Sequence, residues 1–309
     1  MASLTIVRPG MLTTIQDLGR WGHQASGVPV AGPMDSYSHR LANRLVANDD
    51  SAATLEITLL GPELEATGDV LCAVAGAQFD LTTDSGTVSC GRAFELKHGA
   101  RLRFGRRTAG ARASLAVRGG FDVVPVFGSR ATSVISRMGP FGGRPLAPGD
   151  ILPVGHQPAR TDSVSGPYAL PLPQGGARLR AIPGPHDAMF TPDAINVFFS
   201  GTYTVTPASN RMGYRLEGPS VARAGGGDIL SDATPLGSVQ VPLSGQPILL
   251  MADRQTTGGY PKIATVISAD TPLAGQLAPG DWVQFSPCTR AEALDALHRL
   301  ERRLAGHAS

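Results

Sequence analysis

The chain has 309 residues, enough for two domains or one large domain with a full core. Charged residues make up 17% of it and the formal net charge is +2. That near balance gives no electrostatic footprint for nucleic acid or an anionic membrane, and the longest apolar runs, such as 247–252, are far too short to span a bilayer.

Residues 4–8 read as a strand that Pro9-Gly10 breaks. A glycine-dense polar stretch follows to Asp35. Tyr37, Leu41 and Leu45 then fall at i, i+4 and i+8, with Ala42 and Val46 widening the stripe, which predicts a helix capped by Asp35 or Ser36 and ended near Asn48 to Asp50. From 53 to 155 the pattern is short and strand-like: 55–59 alternates, 70–74 is a buried-type run, and 113–117 alternates again. Strands about ten residues apart with turns between them predict a barrel or sandwich. Residues 156–176, rich in Pro, Gly and Ser, read as a linker. Beyond it, 178–182 reads as a strand. Thr191-Pro192 predicts an N-cap with proline at the first helical position, and Gly201 the helix end. Strands are expected at 202–206, 214–217, 248–252, 263–267 and 282–285. Thr289-Arg-Ala-Glu292 is a capping box, and Leu294, Leu297, Leu300 and Leu304 form the packing stripe of a last helix.

Leu146-Ala-Pro-Gly-Asp-Ile-Leu152 recurs as Leu277-Ala-Pro-Gly-Asp-Trp-Val283, 131 residues on, each placing a Pro-Gly turn before a strand. Lys97-His-Gly-Ala-Arg-Leu-Arg-Phe104 is a fainter third version. The echo argues for two related units.

Several chemistries are missing. There is no P-loop, GxSxG, HExxH or GxGxxG motif, and no Cys/His cluster has zinc spacing. No Met-Lys-Met segment offers a biotinylation site. The N-terminus lacks a basic region leading into a long apolar run, and the three cysteines, Cys72, Cys90 and Cys288, are odd in number and widely spaced. Together these features give the expectation of a cytoplasmic protein with reduced thiols. Only two of the 27 basic residues are lysines, Lys97 and Lys262. An ammonium acts as a compact point donor where a guanidinium does not, which marks Lys262 for attention, while Lys97 reads as a surface residue.

The segment Asp253-Arg-Gln-Thr-Thr-Gly-Gly-Tyr-Pro-Lys262 is dense in polar types. An apolar strand delivers Asp253 and Arg254 to its end. Gln255, Thr256 and Thr257 supply amide and hydroxyl groups, and Gly258-Gly259 permits positive φ and close backbone approach. Tyr260 and Lys262 then open the next strand on one face. Read as a hairpin tip, the segment presents a carboxylate, a guanidinium, an amide, hydroxyls, a phenol and an ammonium to a planar amide or urea. In that reading Lys262 and Tyr260 stabilise charge on the carbonyl oxygen, and Asp253 accepts from an N–H or acts as base. Arg254, Arg211 and Arg215 grip a carboxylate or phosphate, although Arg211 and Arg215 read equally well as structural ion-pair partners. Gln240, alternating with apolar neighbours, is placed to point into a barrel. Gln16, Asp17, Arg20 and Asp35, set among glycines, read either as a wall of a cleft or interface or as side chains that tie down their own loop.

Three long, ordered stretches resemble the KipA-like, biotin-dependent carboxyltransferase family: 13–20 continuing through 27–35 to 42–48, Asn210-Arg-Met-Gly-Tyr-Arg215 with 238–242, and 253–262. That family includes the C subunit of prokaryotic 5-oxoprolinase and allophanate hydrolase subunit 2. Shorter similarities lie at 55–59, 118–120, 128–132 and 142–146. Ala131 stands where members often have Ser, and 133–140 matches weakly.

The resemblance implies a mainly β protein of two cyclophilin-like β-barrel halves with a few short helices and a C-terminal helix. The halves are placed at 1–155 and 177–288, with the linker at 156–176 and the helix at 289–309. It implies a heteromer with a KipI-like (PxpB-like) subunit and a LamB/YcsF-like (PxpA-like) third subunit. The first implied activity is ATP-dependent opening of 5-oxo-L-proline to L-glutamate, with ATP held in the complex and its site on a partner subunit, and with the isolated chain inactive. The alternatives are an allophanate hydrolase or urea carboxylase type of subunit acting on urea-like substrates, with biotin carried by another chain, and a non-enzymatic regulator that binds a KipI-like protein. Prolyl isomerase activity by analogy of the barrel is set aside, since fold does not dictate chemistry and the usual active-site pattern is missing.

Overall fold

The computed structural model describes residues 2–156, 169–225 and 227–306. The protein is mainly β, with 37% strand against 17% helix, so backbone pairing rather than helix packing sets its architecture. Two compact units are present. The first comprises Met1–Arg20, Ala31–Leu172 and Leu304–Ala308; the second gathers Trp21–Val30 with Pro173–Arg303. Most of the expected linker, 157–168, lies outside the described residues.

In chain order the first unit holds β1 (Ser3–Arg8), β2 (Leu12–Gln16), α1 (Ser36–Leu45), β3 (Thr54–Thr58), β4 (Glu63–Ala66), β5 (Val70–Thr83), β6 (Gly86–Val88), β7 (Ala93–Leu96), β8 (Arg101–Val117), the single turn α2 (Pro140–Gly143) and β9 (Ile151–Pro153). The sheet runs β2-β3-β8-β4-β1-β9, with β5 pairing β6, β7 and β8. It is a half-barrel rather than a closed barrel. Strands β5 and β8 form one long antiparallel ribbon, of which the sequence pattern showed only the ends, 70–74 and 113–117. Register shifts between Gly76 and Leu81 break the period-two alternation that would have revealed the rest. The core fills with Leu4, Ile6, Ile15, Leu55, Ile57, Val74 and Leu115.

Asp35 caps α1, its Oδ1 accepting from the Ser38 amide at 2.9 Å. The helix ends at Leu45, earlier than expected. Asn48 instead donates to the Val117 carbonyl at 2.7 Å, which ties the chain to β8.

The second unit holds β10 (Gly176–Pro183), α3 (Pro192–Ser200), β11 (Thr202–Val205), β12 (Gly213–Glu217), β13 (Asp232–Ala233), β14 (Ser238–Gln240), β15 (Ile248–Leu250), β16 (Thr257–Gly258), β17 (Lys262–Val266), α4 (Thr271–Gly275), β18 (Trp282–Pro287) and α5 (Arg290–Leu304). Seven of these strands close a barrel in the order β10-β17-β14-β15-β12-β11-β18, and among the described residues β13 pairs only with β16. Closure is made by β10 against β18, which run parallel. A Cβ on Gly176 would sit 2.3 Å from the Trp282 ring, so glycine is required where the two strands meet. Leu179, Val239, Leu249, Tyr214, Tyr203, Val283 and Phe285 are buried, and Phe198 of α3 stacks on Phe285 at 4.6 Å.

The echoed turns are superimposable in their bonding. The Ala147 and Ala278 amides each donate to the carboxylate three residues on, Asp150 and Asp281, at 2.8 Å. Gly149 and Gly280 both take positive φ, 85° and 93°. Gly99 repeats the turn with φ 76° but without the acidic cap. Thr191 caps α3 and Gly201 ends it, as expected. The capping box of α5 is present: Thr289 Oγ1 accepts from the Glu292 amide at 3.2 Å, and Glu292 accepts from the Thr289 amide at 2.7 Å. The expected stripe on α5 is met in part: Leu304 is buried, Leu300 packs beside the buried Ala296 and Leu297 is half-buried, while Leu294 is exposed. All three cysteines are unpaired thiols. No helix among the described residues is long and apolar enough to cross a membrane.

His39 of α1 is fully buried. Its Nδ1 meets Thr54 Oγ1 at 2.8 Å and its Nε2 meets the Asp50 carbonyl at 3.0 Å. Burial pushes its pKa down from 6.5 to about 4, against the opposing pull of Asp17 and Asp50. The unfolded chain therefore takes up this proton at a higher pH than the folded one. Stability is full above pH 6.5 and falls as pH drops towards 4, by on the order of 3 kcal/mol from this residue. Urea midpoints measured at pH 7 and pH 4.5 are expected to fall more steeply for the wild type than for His39→Gln; equal slopes would count against the assignment.

Candidate functional site

The segment from Asp253 to Lys262 is not a hairpin. In the barrel β14 lies between β15 and β17 and runs antiparallel to both, so β15 and β17 are parallel: the chain leaves β15 at one end of the barrel and enters β17 at the other, two strands away. On the way β16 pairs with β13, Asp232 opposite Gly258 and Ala233 opposite Thr257. The crossing is anchored at its start. The Met251 amide donates to the Met212 carbonyl and the Asp253 amide to the Arg211 carbonyl, both at 2.8 Å.

This path separates the three residues expected to act together. The Asp253 carboxylate accepts from Arg211 Nε at 3.0 Å and Nη2 at 3.1 Å, and the two side chains are 1% and 5% exposed. A carboxylate bound on both oxygens and sealed from solvent is not placed to accept a substrate proton. Arg211 is likewise committed, in the ion-pair role that the sequence left open. Lys262 is buried and turns the other way: its Nζ donates to Asp232 and to the Ala233 carbonyl, both at 2.8 Å. It therefore fastens β13 to the barrel wall. His186 joins this cluster, its Nδ1 accepting from the Lys262 amide at 3.3 Å and its Nε2 lying 3.9 Å from Asp232. Burial and the Lys262 ammonium hold His186 below the usual histidine range, while the Lys262 hydrogen bond holds Asp232 below the usual carboxylate range. Lys97 pairs with Asp69 and Glu95 on the surface of the first unit.

Two cavities lie in the second unit. One, of about 150 Å³, is lined by Asn210, Arg215, Gln240, Gln255 and Tyr260 over a floor of Met212, Ile248 and Leu250. The other, of about 210 Å³, is lined by Trp21, Gln24, Thr234, Arg254, Gln255 and Thr256. Gln255 belongs to both. Tyr260 is 41% exposed, and the Arg215 side chain, also exposed, makes no hydrogen bond or ion pair among the described residues. Gln240 is buried with long contacts only: its Nε2 donates to the Tyr260 carbonyl at 3.5 Å, and its Oε1 accepts from Gln255 at 3.4 Å. Neither Gly258 nor Gly259 has positive φ. At Gly258 a Cβ would lie 2.8 Å from the Gln240 amide nitrogen and 3.0 Å from that of Gln255, so any side chain there would push these two carboxamides aside. Gly259 accepts from the Ile229 amide, and Thr257 is an exposed residue of β16. The polar groups expected of the 253–262 segment are thus partly present, at Gln255, Thr256, Tyr260 and Arg254, and are joined by Gln240 and Arg215 from neighbouring strands.

The four residues of the N-terminal stretch are structural side chains of the first unit. Asp17 accepts from the Gly19 and Arg130 amides and from Ser129 Oγ. Arg20 is buried and donates to the Ala131 carbonyl, Gln16 to the Thr132 carbonyl, and Asp35 caps α1. Each ties down backbone, and none of the four lines either cavity.

A profile of the family described as carboxyltransferase domain, subdomain A and B, matches residues 26–287. The chain belongs to that family. Among characterised carboxyltransferase-domain proteins it is 41% identical over 299 residues to the Escherichia coli 5-oxoprolinase C subunit, covering 97% of this chain and 96% of that one. It is 34% identical to the Haemophilus influenzae protein of the same name, covering 91% of this chain and 89% of that one. The same domain occurs in much longer proteins. The structure of the Kluyveromyces lactis urea amidolyase superposes with a TM-score of 0.92 at 33% identity, over 98% of this chain and 20% of that one.

Trp21, Gln24, Thr234 and Asn210, which line the two cavities, and Asp232 and His186, which join the Lys262 cluster, are not among the site residues expected from the sequence. Asn210 stood inside a motif already singled out. Trp21, one of two tryptophans, lies in the glycine-dense stretch, and that placement of a large aromatic among turn residues is the one local signal; the structure leaves it 62% exposed.

Breaking the Asp253–Arg211 pair tests its structural role. Arg211→Met strands a buried carboxylate and is expected to cost about 3–5 kcal/mol, whereas the double variant Arg211→Met/Asp253→Leu costs less than the sum of the two single changes. Urea denaturation of the four proteins measures the coupling, and strict additivity would refute it.

Proposed function

We propose that this carboxyltransferase-domain chain is one component of an ATP-dependent 5-oxoprolinase, acting with a KipI-like partner subunit. The observation that carries the reading is the near end-to-end similarity to a 5-oxoprolinase C subunit. The Tyr260 cavity supports it in chemical terms. A lactam offers one N–H donor and one carbonyl acceptor in a plane. The carboxamides of Gln240 and Gln255 carry both complementary kinds of group, and Tyr260 and Arg215 add donors. In this reading Tyr260 and Arg215 donate to the lactam oxygen as negative charge builds there, and a carboxamide oxygen accepts the ring N–H. Water adds to the carbonyl carbon, the C–N bond breaks, and the ring nitrogen leaves as the amino group of glutamate. Lys262 acts indirectly, by holding the strand β13 that leads into Thr234.

ATP would supply the driving force by giving its γ-phosphoryl group to the lactam oxygen, with ADP as the first leaving group and phosphate released as the ring opens, and we assign its site to a partner subunit. The donor set favours that assignment: Lys97 is bound to two carboxylates, Lys262 is buried on Asp232, and neither follows a phosphate-binding glycine loop.

A second reading draws on the superposition with urea amidolyase. Urea is also a flat amide and suits the same cavity, with the carboxyl group delivered by biotin on another chain.

Co-expression with the neighbouring subunits and an assay of glutamate release from 5-oxoproline separates the two. Release is expected to require ATP and this chain, and the chain alone is expected to be inactive. ADP formation that depends on urea and biotin would select the second reading. Within the active complex, Tyr260→Phe and Arg215→Met are each expected to lower kcat/KM by roughly tenfold or more with folding unchanged. Wild-type rates in both variants would remove this cavity from the reaction.

A further inference from the structure

Arg254 holds an unusual position. It is 9% exposed, yet no carboxylate among the described residues lies within ion-pair distance of it. Its chain neighbour Asp253 spends both carboxylate oxygens on Arg211 and acts on Arg254 only by longer-range attraction, which offsets part of the burial that lowers the Arg254 pKa. Arg254 is held by neutral groups instead: its Nε donates to the Thr234 carbonyl at 2.7 Å and its Nη1 to the Met251 carbonyl at 3.4 Å. Its Nη2 donates to nothing among the described residues and is not sealed within the core. The residue lines the 210 Å³ cavity together with Trp21, Gln24 and Thr256.

A guanidinium charge taken out of water without a counter-ion is costly, and the cost falls when an anion arrives. Two carbonyl contacts fix the guanidinium plane in advance, so little side-chain entropy remains to be lost on binding. The cavity walls are otherwise neutral, with the indole and Val30 supplying apolar surface and Gln24, Gln255 and Thr256 supplying hydrogen-bonding groups.

We propose that this cavity binds the carboxylate of a small organic acid, with Arg254 Nη2 as the charged donor. The site itself stands on Arg254 and its surroundings; the identity of the acid rests on the 5-oxoprolinase reading. In that reading Gln255, common to both cavities, separates a subsite for the ring amide from a subsite for the acid group of the same class of molecule. Both 5-oxoproline and glutamate carry such a group.

Trp21 lines the cavity and reports on it. In the full-length chain carrying Trp282→Phe, titration with 5-oxo-L-proline is expected to change tryptophan emission with saturation at millimolar concentration. The neutral analogue 5-oxoprolinamide is expected to bind roughly tenfold more weakly or worse, since it lacks the charge-assisted bond. L-Glutamate and acetate, tested in the same way, separate substrate, product and generic carboxylate. Saturation by any of the three acids supports the site, and their order identifies the ligand. Arg254→Met is expected to raise the Kd by a similar factor. Should that variant fail to fold, the comparison of acid with amide in the otherwise intact chain decides the matter alone. Equal responses to 5-oxoproline and its amide, a response to inorganic phosphate but to no carboxylate, or no saturable response at all would overturn the proposal. Carboxylate binding in a complex that releases no glutamate would instead leave this site standing and remove the 5-oxoprolinase reading.

Discussion

The buried pair of Asp253 and Arg211 decides where the chain goes after β15. Each side chain is almost wholly removed from solvent, and the pair is bidentate. In a low-dielectric interior, neither charge is tolerable without the other. The pair therefore works as a register device: it permits one path out of β15, the one in which the Asp253 amide also meets the Arg211 carbonyl. Everything presented downstream, from Arg254 and Gln255 to Tyr260, inherits its position from that point. Lys262 closes the crossing by a similar device at the far end, holding β13 against the wall through Asp232 and Ala233.

This arrangement also clarifies the scarcity of lysine. Arg211 needs a planar fork to match both oxygens of Asp253, and an ammonium would serve one oxygen at a time. Lys262 has a different task. It bonds a carboxylate and a backbone carbonyl from a position that is itself 1% exposed. A compact donor with rotatable N–H groups suits two acceptors of different kinds better than a rigid fork does.

Local chemistry in this sequence was readable, and non-local pairing was not. The Thr289–Glu292 box, the Thr191-Pro192 start of α3, the Asp35 cap and the twin turns at Asp150 and Asp281 each depend on residues within a few positions of one another. All of them appear as the spacing predicts. The crossing from Asp253 to Lys262 depends on β14 entering between β15 and β17, and nothing within ten residues of Gly258 carries that information. A Gly-Gly pair between two apolar runs reads as a hairpin for sound local reasons. Here the glycine at 258 serves a different end, admitting the amides of Gln240 and Gln255 close to its backbone. The half-barrel ribbon was hidden for a related reason, because its bulges break the alternation by which strands are recognised.

The candidate site follows from the same distinction. The sequence showed that 253–262 is rich in functional groups but not which of them are already spent. Asp253 and Lys262 are the most reactive types in the segment, and both are consumed in holding it. The groups left over are amides, a phenol and two guanidinium groups, of which Arg254 is fixed by carbonyls that orient its charge without neutralising it. A carbonyl dipole offsets part of the desolvation of a guanidinium but leaves its net charge in place, whereas a carboxylate would cancel it. A fold that pairs one arginine with a carboxylate and its near neighbour in space with carbonyls has therefore sorted two similar side chains into different roles: Arg211 closes the structure, and Arg254 keeps a positive charge at the edge of a cavity.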